Sequence, residues 1–388
     1  MARAPTMTPS GMTPSGMTPS GMTPSGMTER AALAHAKRVV VKVGSRLVAE
    51  SRIAAIADQV SRLVGRGIDV IVVSSGAIAL GMGRLKLAER PSELPALQAA
   101  AAVGQSRLMQ LWEHAFGAHA IEIGQVLLTH DDLGDRRRFL SARMTLRALL
   151  DHRVVPIVNE NDTVATEEIK FGDNDQLAAL VCNLVSADAL VILTDVEGVR
   201  DANGQRMSVV VDIDREAAPV AGNSTSGVGS GGMRSKVGSA RIVTRTGVPA
   251  IIAPGREPDV LERVLAGADV GTLFVPAKPD VLSSRKHWIA YGARPAGAVV
   301  VDDGAVAAIT QRQTSLLPAG ILDIQGDFEL GDTVSITARD GREVARGLVG
   351  YGADELRAIR GLHSAAIEAR LGYKSADEAI HRDDLVII

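Results

Sequence analysis

Short runs of Val, Ile and Leu alternate along this chain with longer stretches in which apolar residues return every three or four positions. "RVVVKVGS" (38–45) is a β-branched run closed by glycine, which predicts a buried strand feeding a loop. "RIAAIADQVSRLVGRG" sets Ile53, Ile56, Val60 and Leu63 at helical spacing and ends in glycine, as a helix does. "DVIVVSSGA", "IEIGQVLLT", "VVPIVNEND", "ALVILTD" and "VPAIIAPG" read as further strands, and "RRRFLSARMTLRALLDH" and "DQLAALVCNLVSA" as helices. Continuous apolar strands separated by amphipathic helices predict an α/β fold, a mostly parallel sheet covered on both faces. Ligands of such sheets sit at the carboxyl ends of the strands. The polar residues of "VVVKVGS", "IVVSSGA", "PIVNEND" and "VILTD" all fall at or just past those ends, so one cleft can collect them.

The pattern shifts after Phe274. "PAKPDVLSSRKHWIAYGARPAG" has the prolines, glycines and weak period of a linker. From Pro295 come the short runs "GAVVVD", "AAITQ", "ILDIQGDF" and "DTVSITARDGREVARGLVGY", with a hairpin signal at Asp340-Gly341 and one helix near "DELRAIRGLHSAAIEARL". These predict a second, small β-rich domain. At the other end "MTPSG" recurs in tandem from Met7 to Gly26, a composition that cannot build a core and predicts disorder.

Composition narrows the class. The chain has 388 residues and 46% hydrophobic content, enough for more than one core, and about 100–200 residues per domain implies two or three units. A net charge of −3 gives no general pull toward nucleic acid or an anionic membrane. The single cysteine, Cys182, rules out an internal disulfide and sits in an apolar run, where it reads as inert packing. No apolar run reaches the roughly 18 residues a membrane span needs, and the N-terminus has no basic-then-apolar signal pattern. A soluble cytoplasmic protein is expected.

The chemistry begins at "SGVGSGGMRSK" (226–236), too rich in glycine to pack a core. Gly227, Gly229 and Gly232 satisfy G-x-G-x-x-G formally, but no strand precedes them, and the phosphate-loop ending G-K-[ST] is absent. Two readings are open: a flexible surface linker, or a loop whose N–H groups approach phosphate oxygens while the next helix points its positive end at them. Lys42 interrupts a run otherwise fit for burial, and is either snorkelling to solvent or aimed into the cleft. Taken with Lys236 it suggests two cations meeting one polyanion, the arrangement phosphoryl transfer needs. "NENDTVATEEIKFGDNDQ" crowds Asn159, Asn161, Asp162, Asp173, Asn174 and Asp175 at a strand end and the loop after it. Turn chemistry accounts for one such cluster. Two of them also fit recognition of an amine, orientation of lysines, or a place near magnesium. None of the eight histidines falls in these segments, so no histidine base is indicated; a carboxylate nucleophile, already ionised, would need none. "RRR" at Arg136–Arg138 reads as a solvated helix face.

Together "VVVKVGS", "VVSSGAIALG", "AAVGQSRLMQLWE", "VNENDTVATEEIKFGDNDQLAALV", "ILTDVEGV", "SGVGSGGMRSKV", "GTLF" and "GYKSADEAIHRDDLVII" resemble the glutamate 5-kinase branch of the amino acid kinase family, from about Arg38 to the end of the chain. The C-terminal part resembles a PUA domain, a small pseudo-barrel. The resemblance implies a three-layer αβα sandwich with a mostly parallel sheet. With the repeats set apart as a leader (1–30), which is not a family feature, the chain divides into a kinase domain (31–275), a linker (276–294), a PUA-like domain (295–375) and a tail (376–388). The resemblance also implies phosphorylation of the γ-carboxylate of L-glutamate by ATP with Mg²⁺, the first step from glutamate to proline. Lys42 and Lys236 would be the transfer lysines and Asp175 would orient them. Thr194, Asp195 and the run Ser230, Gly231, Gly232, Met233, Arg234, Ser235 and Lys236 would hold the nucleotide, and Ser75, Asp162 and Asn174 would hold glutamate; no protein metal ligand is implied. L-proline as a feedback inhibitor and a homodimer or homotetramer are further expectations. Arg234 stands where a small polar residue is common in relatives.

Two rival readings are weighed against this one. The first is an amino acid kinase acting on another carboxylate, a carbamate or a phosphate. The second is an RNA-binding PUA protein, against which the charge balance speaks: from Pro295 onward 15 Asp and Glu face 9 Lys and Arg.

Overall fold

The computed structural model describes residues 29–165, 173–222, 232–276, 286 and 288–388. The tandem repeats and most of the glycine-rich loop, including Ser230 and Gly231, lie outside the described residues.

The apolar runs form an eight-stranded sheet. Its strands are β1 (Arg38–Val43), β2 (Asp69–Ser74), β3 (Ile123–Leu128), β4 (Val155–Glu160), β5 (Ala189–Thr194), β6 (Val209–Val210), β7 (Ala250–Pro254) and β8 (Thr272–Phe274), in the order β3-β4-β2-β1-β5-β7-β8-β6. The six from β3 to β7 run parallel; β8 turns antiparallel to β7 and carries β6 with it. β1 lies between β2 and β5, and the chain leaves it to opposite sides at those two neighbours, which opens a crevice at its carboxyl end.

Helices cover both faces because successive side chains of a strand point to opposite sides. Val39, Val41 and Val43 pack with α1 (Glu50–Gly65) and α3 (Leu94–Gly117). Val40 packs on the other face, against α5 (Arg136–Asp151), α6 (Asp173–Val185) and α7 (Met233–Thr244). The short helices α2 (Ala77–Arg84), α4 (His130–Gly134) and α8 (Val260–Leu265) complete this part. The sandwich expected from the alternation is present. Cys182 is fully buried, and burial pushes its thiol well up, as inert packing requires.

The C-terminal sheet is separate: β9 (Gly297–Val301), β10 (Ile321–Gly326), β11 (Thr333–Thr337), β12 (Glu343–Leu348) and β13 (Leu385–Ile387), in the order β10-β9-β11-β12-β13. It has its own core around Val299, Val334, Ile336 and Tyr351. "AAITQ", read above among the β runs, is instead inside helix α9 (Asp303–Arg312), whose N–H of Ala305 is capped by Asp302. Five residues were too few to separate the two periods, and the Asp cap was the missed signal. The single helix expected later is two, α10 (Ala353–Ile359) and α11 (Ile367–Leu371). The segment entering this domain docks on the core of the larger sheet: Trp288 is buried and its Nε1 donates to the Leu133 carbonyl at 2.9 Å.

The leader, drawn to residue 30, ends sooner. Arg30 is 1% exposed, and its guanidinium donates to the carbonyls of Ser208 (2.7 Å) and Ala268 (2.9 Å) and meets Asp269 at 3.3 Å. Burial lowers its pKa and Asp269 opposes that fall. An arginine so enclosed belongs to the fold, and composition alone could not separate it from the repeats before it.

Candidate active site

Lys42 shares the β1 face of Val40, since the two lie two positions apart, so it projects toward α6 and α7. It sits one residue from the strand's carboxyl end and is 4% exposed. Asp175 occupies the first turn of α6 and Lys236 the first turn of α7, both buried. Three elements far apart in the chain thus bring three charges together. Lys42 Nζ lies 2.5 Å from Asp175 Oδ1, and Lys236 Nζ lies 3.2 Å from Asp175 Oδ2. Ser235 Oγ donates to the same Oδ2.

Burial would push the Asp175 carboxyl up, but Lys42 and Lys236 outweigh it and hold the group below the usual carboxylate range. Burial pulls the Lys236 ammonium down; Asp175 opposes that and Lys42 adds to it. Two ammoniums against one carboxylate leave one unit of positive charge in the interior, where Coulombic attraction for an anion is strongest. Gly232 is the N-cap of α7 and has no side chain to cap it; its carbonyl accepts from the Ser235 N–H at 3.1 Å.

Across the cleft, Thr194 ends β5, buried, and its Oγ1 donates to Asp195 Oδ1 at 3.2 Å. Asp195 is paired with Arg46 at 2.7 Å, and although burial raises its carboxyl, that bond holds it low. Arg46 follows β1 directly. Its place beside a nucleotide candidate was not read from the sequence, where it looked like any surface arginine. Met233 is half-buried and Arg234 exposed, with an Nη2 near Gly222.

The remaining candidates line a second group at the ends of β2 and β4. The Ser75 N–H donates to the Val43 carbonyl, tying the loop after β2 to β1. Gly76 caps α2 at φ +104°, and a Cβ there would meet Val48 at 3.0 Å, so only glycine fits this turn. Asp162 opens a one-turn helix after β4. Arg90, in the loop between α2 and α3, feels its charge: burial lowers the guanidinium's pKa and Asp162 opposes that. Asn174 Oδ1 accepts from the Glu160 N–H at 3.2 Å, which joins the start of α6 to the end of β4. Glu160 is itself buried, with His130 Nδ1 3.5 Å from its carboxylate. Arg137 and Arg138 stay exposed at the start of α5, Arg138 paired with Asp132, as a solvated face would be. Among the described residues no three His, Cys, Asp or Glu side chains converge as a metal cage.

Comparison with known proteins places this arrangement. Residues 37–254 match the amino acid kinase family and residues 297–371 the PUA domain. A glutamate 5-kinase of Trichlorobacter lovleyi is 48% identical over 372 residues, which cover 92% of this chain and 99% of the relative. The chain is a member of the glutamate 5-kinases, within the amino acid kinase family. A glutamate 5-kinase of Geobacter sulfurreducens is 47% identical with 92% and 99% coverage, and one of Chromohalobacter salexigens 47% with 92% and 98%. Among solved structures, an N-acetylglutamate synthase from Neisseria gonorrhoeae, complexed with coenzyme A and N-acetyl-glutamate, superposes with a TM-score of 0.51 at 17% identity. That match covers 66% of this chain and 64% of the synthase, and speaks to the fold alone.

Proposed function

We infer that the chain phosphorylates the γ-carboxylate of L-glutamate with ATP, giving γ-glutamyl phosphate and ADP, the first step of proline synthesis from glutamate. The observation that carries the reading is the buried Lys42–Asp175–Lys236 triad at the carboxyl end of the sheet.

The barrier to this transfer is repulsion between an anionic nucleophile and an anionic donor. A glutamate γ-carboxylate has a pKa of about 4.3 and needs no base at neutral pH. In our reading Lys42 and Lys236 lie against the oxygens of the transferring phosphoryl group and neutralise charge as it shifts from nucleophile to leaving group. Asp175 has Lys42, Lys236 and Ser235 as its partners. It spaces the two ammoniums, which would otherwise repel, and holds each at a fixed tip position. Thr194, Asp195 and residues 230–236 hold the nucleotide. Ser75, Asp162 and Asn174 hold glutamate, the Asp162 carboxylate matching its ammonium. Mg²⁺ fits as an ion carried on the ATP phosphates, because it keeps its waters and takes substrate phosphate oxygens in preference to an all-protein cage; bound there it neutralises phosphate charge.

L-proline, sharing the α-carboxylate and amine of glutamate, would compete at the glutamate residues. A homodimer or homotetramer, a cytoplasmic location and the division 31–275, 276–294 and 295–375 belong to the same proposal. No helix among the described residues is long and apolar enough to cross a membrane. The excess of acid in the C-terminal domain supports a structural or regulatory role for it over RNA binding. Tight RNA retention on a filter at low salt would reverse that.

The test is hydroxylamine trapping. Glutamate with ATP and Mg²⁺ should give a hydroxamate, and aspartate or N-acetylglutamate should not. Turnover of either control in place of glutamate would assign a different acceptor.

A further inference from the structure

α3 carries three polar side chains at an interval of seven residues: Gln98, Gln105 and Trp112. Seven residues make two turns to within about 20°, so the three lie in one row, about 10 Å apart. Each makes a hydrogen bond to a different segment of the glutamate pocket. Trp112 Nε1 donates to Ser74 Oγ at 3.0 Å, one residue before Ser75. Gln105 Oε1 accepts from Asn159 Nδ2 at 2.7 Å. Gln98 Nε2 donates to the Ala165 carbonyl at 3.0 Å, just after the turn that holds Asp162.

The middle contact reaches furthest. Asn159 is 1% exposed, and its Oδ1 accepts the Glu160 N–H at 2.9 Å. Asn174 Oδ1 shares that N–H at 3.2 Å. An amide side chain has near-equal shapes in its two flipped states, and only its partners select one. The Glu160 N–H, a donor that cannot flip, calls for Asn159 Oδ1 on its side, and Gln105 Oε1, accepting from the Asn159 Nδ2 turned the other way, holds the side chain in that state. With its own Oδ1 committed to the same N–H, Asn174 offers its Nδ2 donors to a ligand. The contacts run in series from Gln105 through Asn159 to the Glu160 backbone and Asn174.

We propose that Gln105 is a positioning residue that sets affinity for glutamate by fixing Asn159 and, through the shared Glu160 N–H, Asn174. This rests on the reading that Asn174 holds glutamate. It concerns neither the triphosphate nor the transfer lysines, so its signature is a rise in KM for glutamate without a fall in kcat.

The experiment uses the full chain and steady-state hydroxamate kinetics. Gln105→Leu should raise KM for glutamate about tenfold, the equivalent of one lost buried hydrogen bond, with kcat and KM for ATP within about twofold of the parent. Gln105→Asn keeps the helix polar should the leucine variant fold poorly, withdraws the amide by one methylene, and should show the same split. Asn159→Ala should raise KM similarly, and Asn159→Ala with Gln105→Leu should do no worse than the poorer single variant, because the two act in series. An unchanged KM for glutamate in a folded Gln105 variant, a loss confined to kcat, or multiplied effects in the double variant would each overturn the proposal. A parent enzyme that forms no glutamate hydroxamate would instead overturn the reading beneath it.

Discussion

At the scale of single residues the triad makes the sharpest claims. Asp175→Asn leaves two buried ammoniums facing each other, and breaking a buried pair in this way costs on the order of 3–5 kcal/mol. Melting should show that loss at pH 7. Because the folded pKa of Asp175 is depressed, its stabilisation is fully present above the unfolded value of about 3.9 and disappears as pH falls through the folded value. The parent should therefore lose melting temperature in that acid window and Asp175→Asn should lose less; equal slopes would deny Asp175 its charged role. Lys236→Ala should lower kcat by about 10²–10³, as removal of one preorganised charge contact does. Asp162→Ala should act chiefly on KM for glutamate. The opposite split would mean the two pockets are exchanged. Lys42 stood out in the sequence because a lysine inside an apolar run demands an explanation, Lys236 because it closes a glycine-rich loop, and Asp175 because it stands in a cluster of acids and amides. Arg46 and Gln105 did not: their importance lies in partners 149 and 54 residues away, and neither interrupts a local pattern.

At the scale of elements, the contact between α2 and α3 decides where the loop after β2 points. A Cβ on Gly81 would lie 1.7 Å from the Ala100 carbonyl oxygen, and one on Gly104 equally close to that of Ala77. The two backbones touch, and Ala77 follows the Ser75-Gly76 turn immediately. Gly81→Ala must push the helices apart. It should cost about 1–3 kcal/mol of stability and also raise KM for glutamate, as checked by melting and kinetics together. Stability loss with unaltered KM would mean that the loop does not follow the helix. The strands β1 to β5 and β7 and the helices α1, α5 and α6 were legible from their periods, whereas α3, the longest helix, was not read as one. α9 was not, because the run that was read is short and its decisive feature is the single cap at Asp302.

At the scale of the molecule, two cores meet along the segment entering the C-terminal domain, with Trp288 fixed on the Leu133 carbonyl and Arg346 Nη1 donating to the Ala290 carbonyl at 3.0 Å. The alternation of strands and helices foretold the layers. It could not foretell this docking, which depends on surface shape. The charge excess of the triad has a last consequence, in the coupling of ligand binding to folding. With residues 42, 175 and 236 gathered around the triphosphate as proposed, an unfolded chain could not form the site, so nucleotide would bind only the native state and add RT ln(1 + [L]/Kd) to its stability, about 2.7 kcal/mol at a hundredfold excess over Kd. ATP without glutamate should thus raise the melting temperature in proportion to the logarithm of its concentration, and Lys42→Met should flatten that rise. Bound nucleotide would then slow proteolysis of the chain, because cleavage tracks the population of opened molecules.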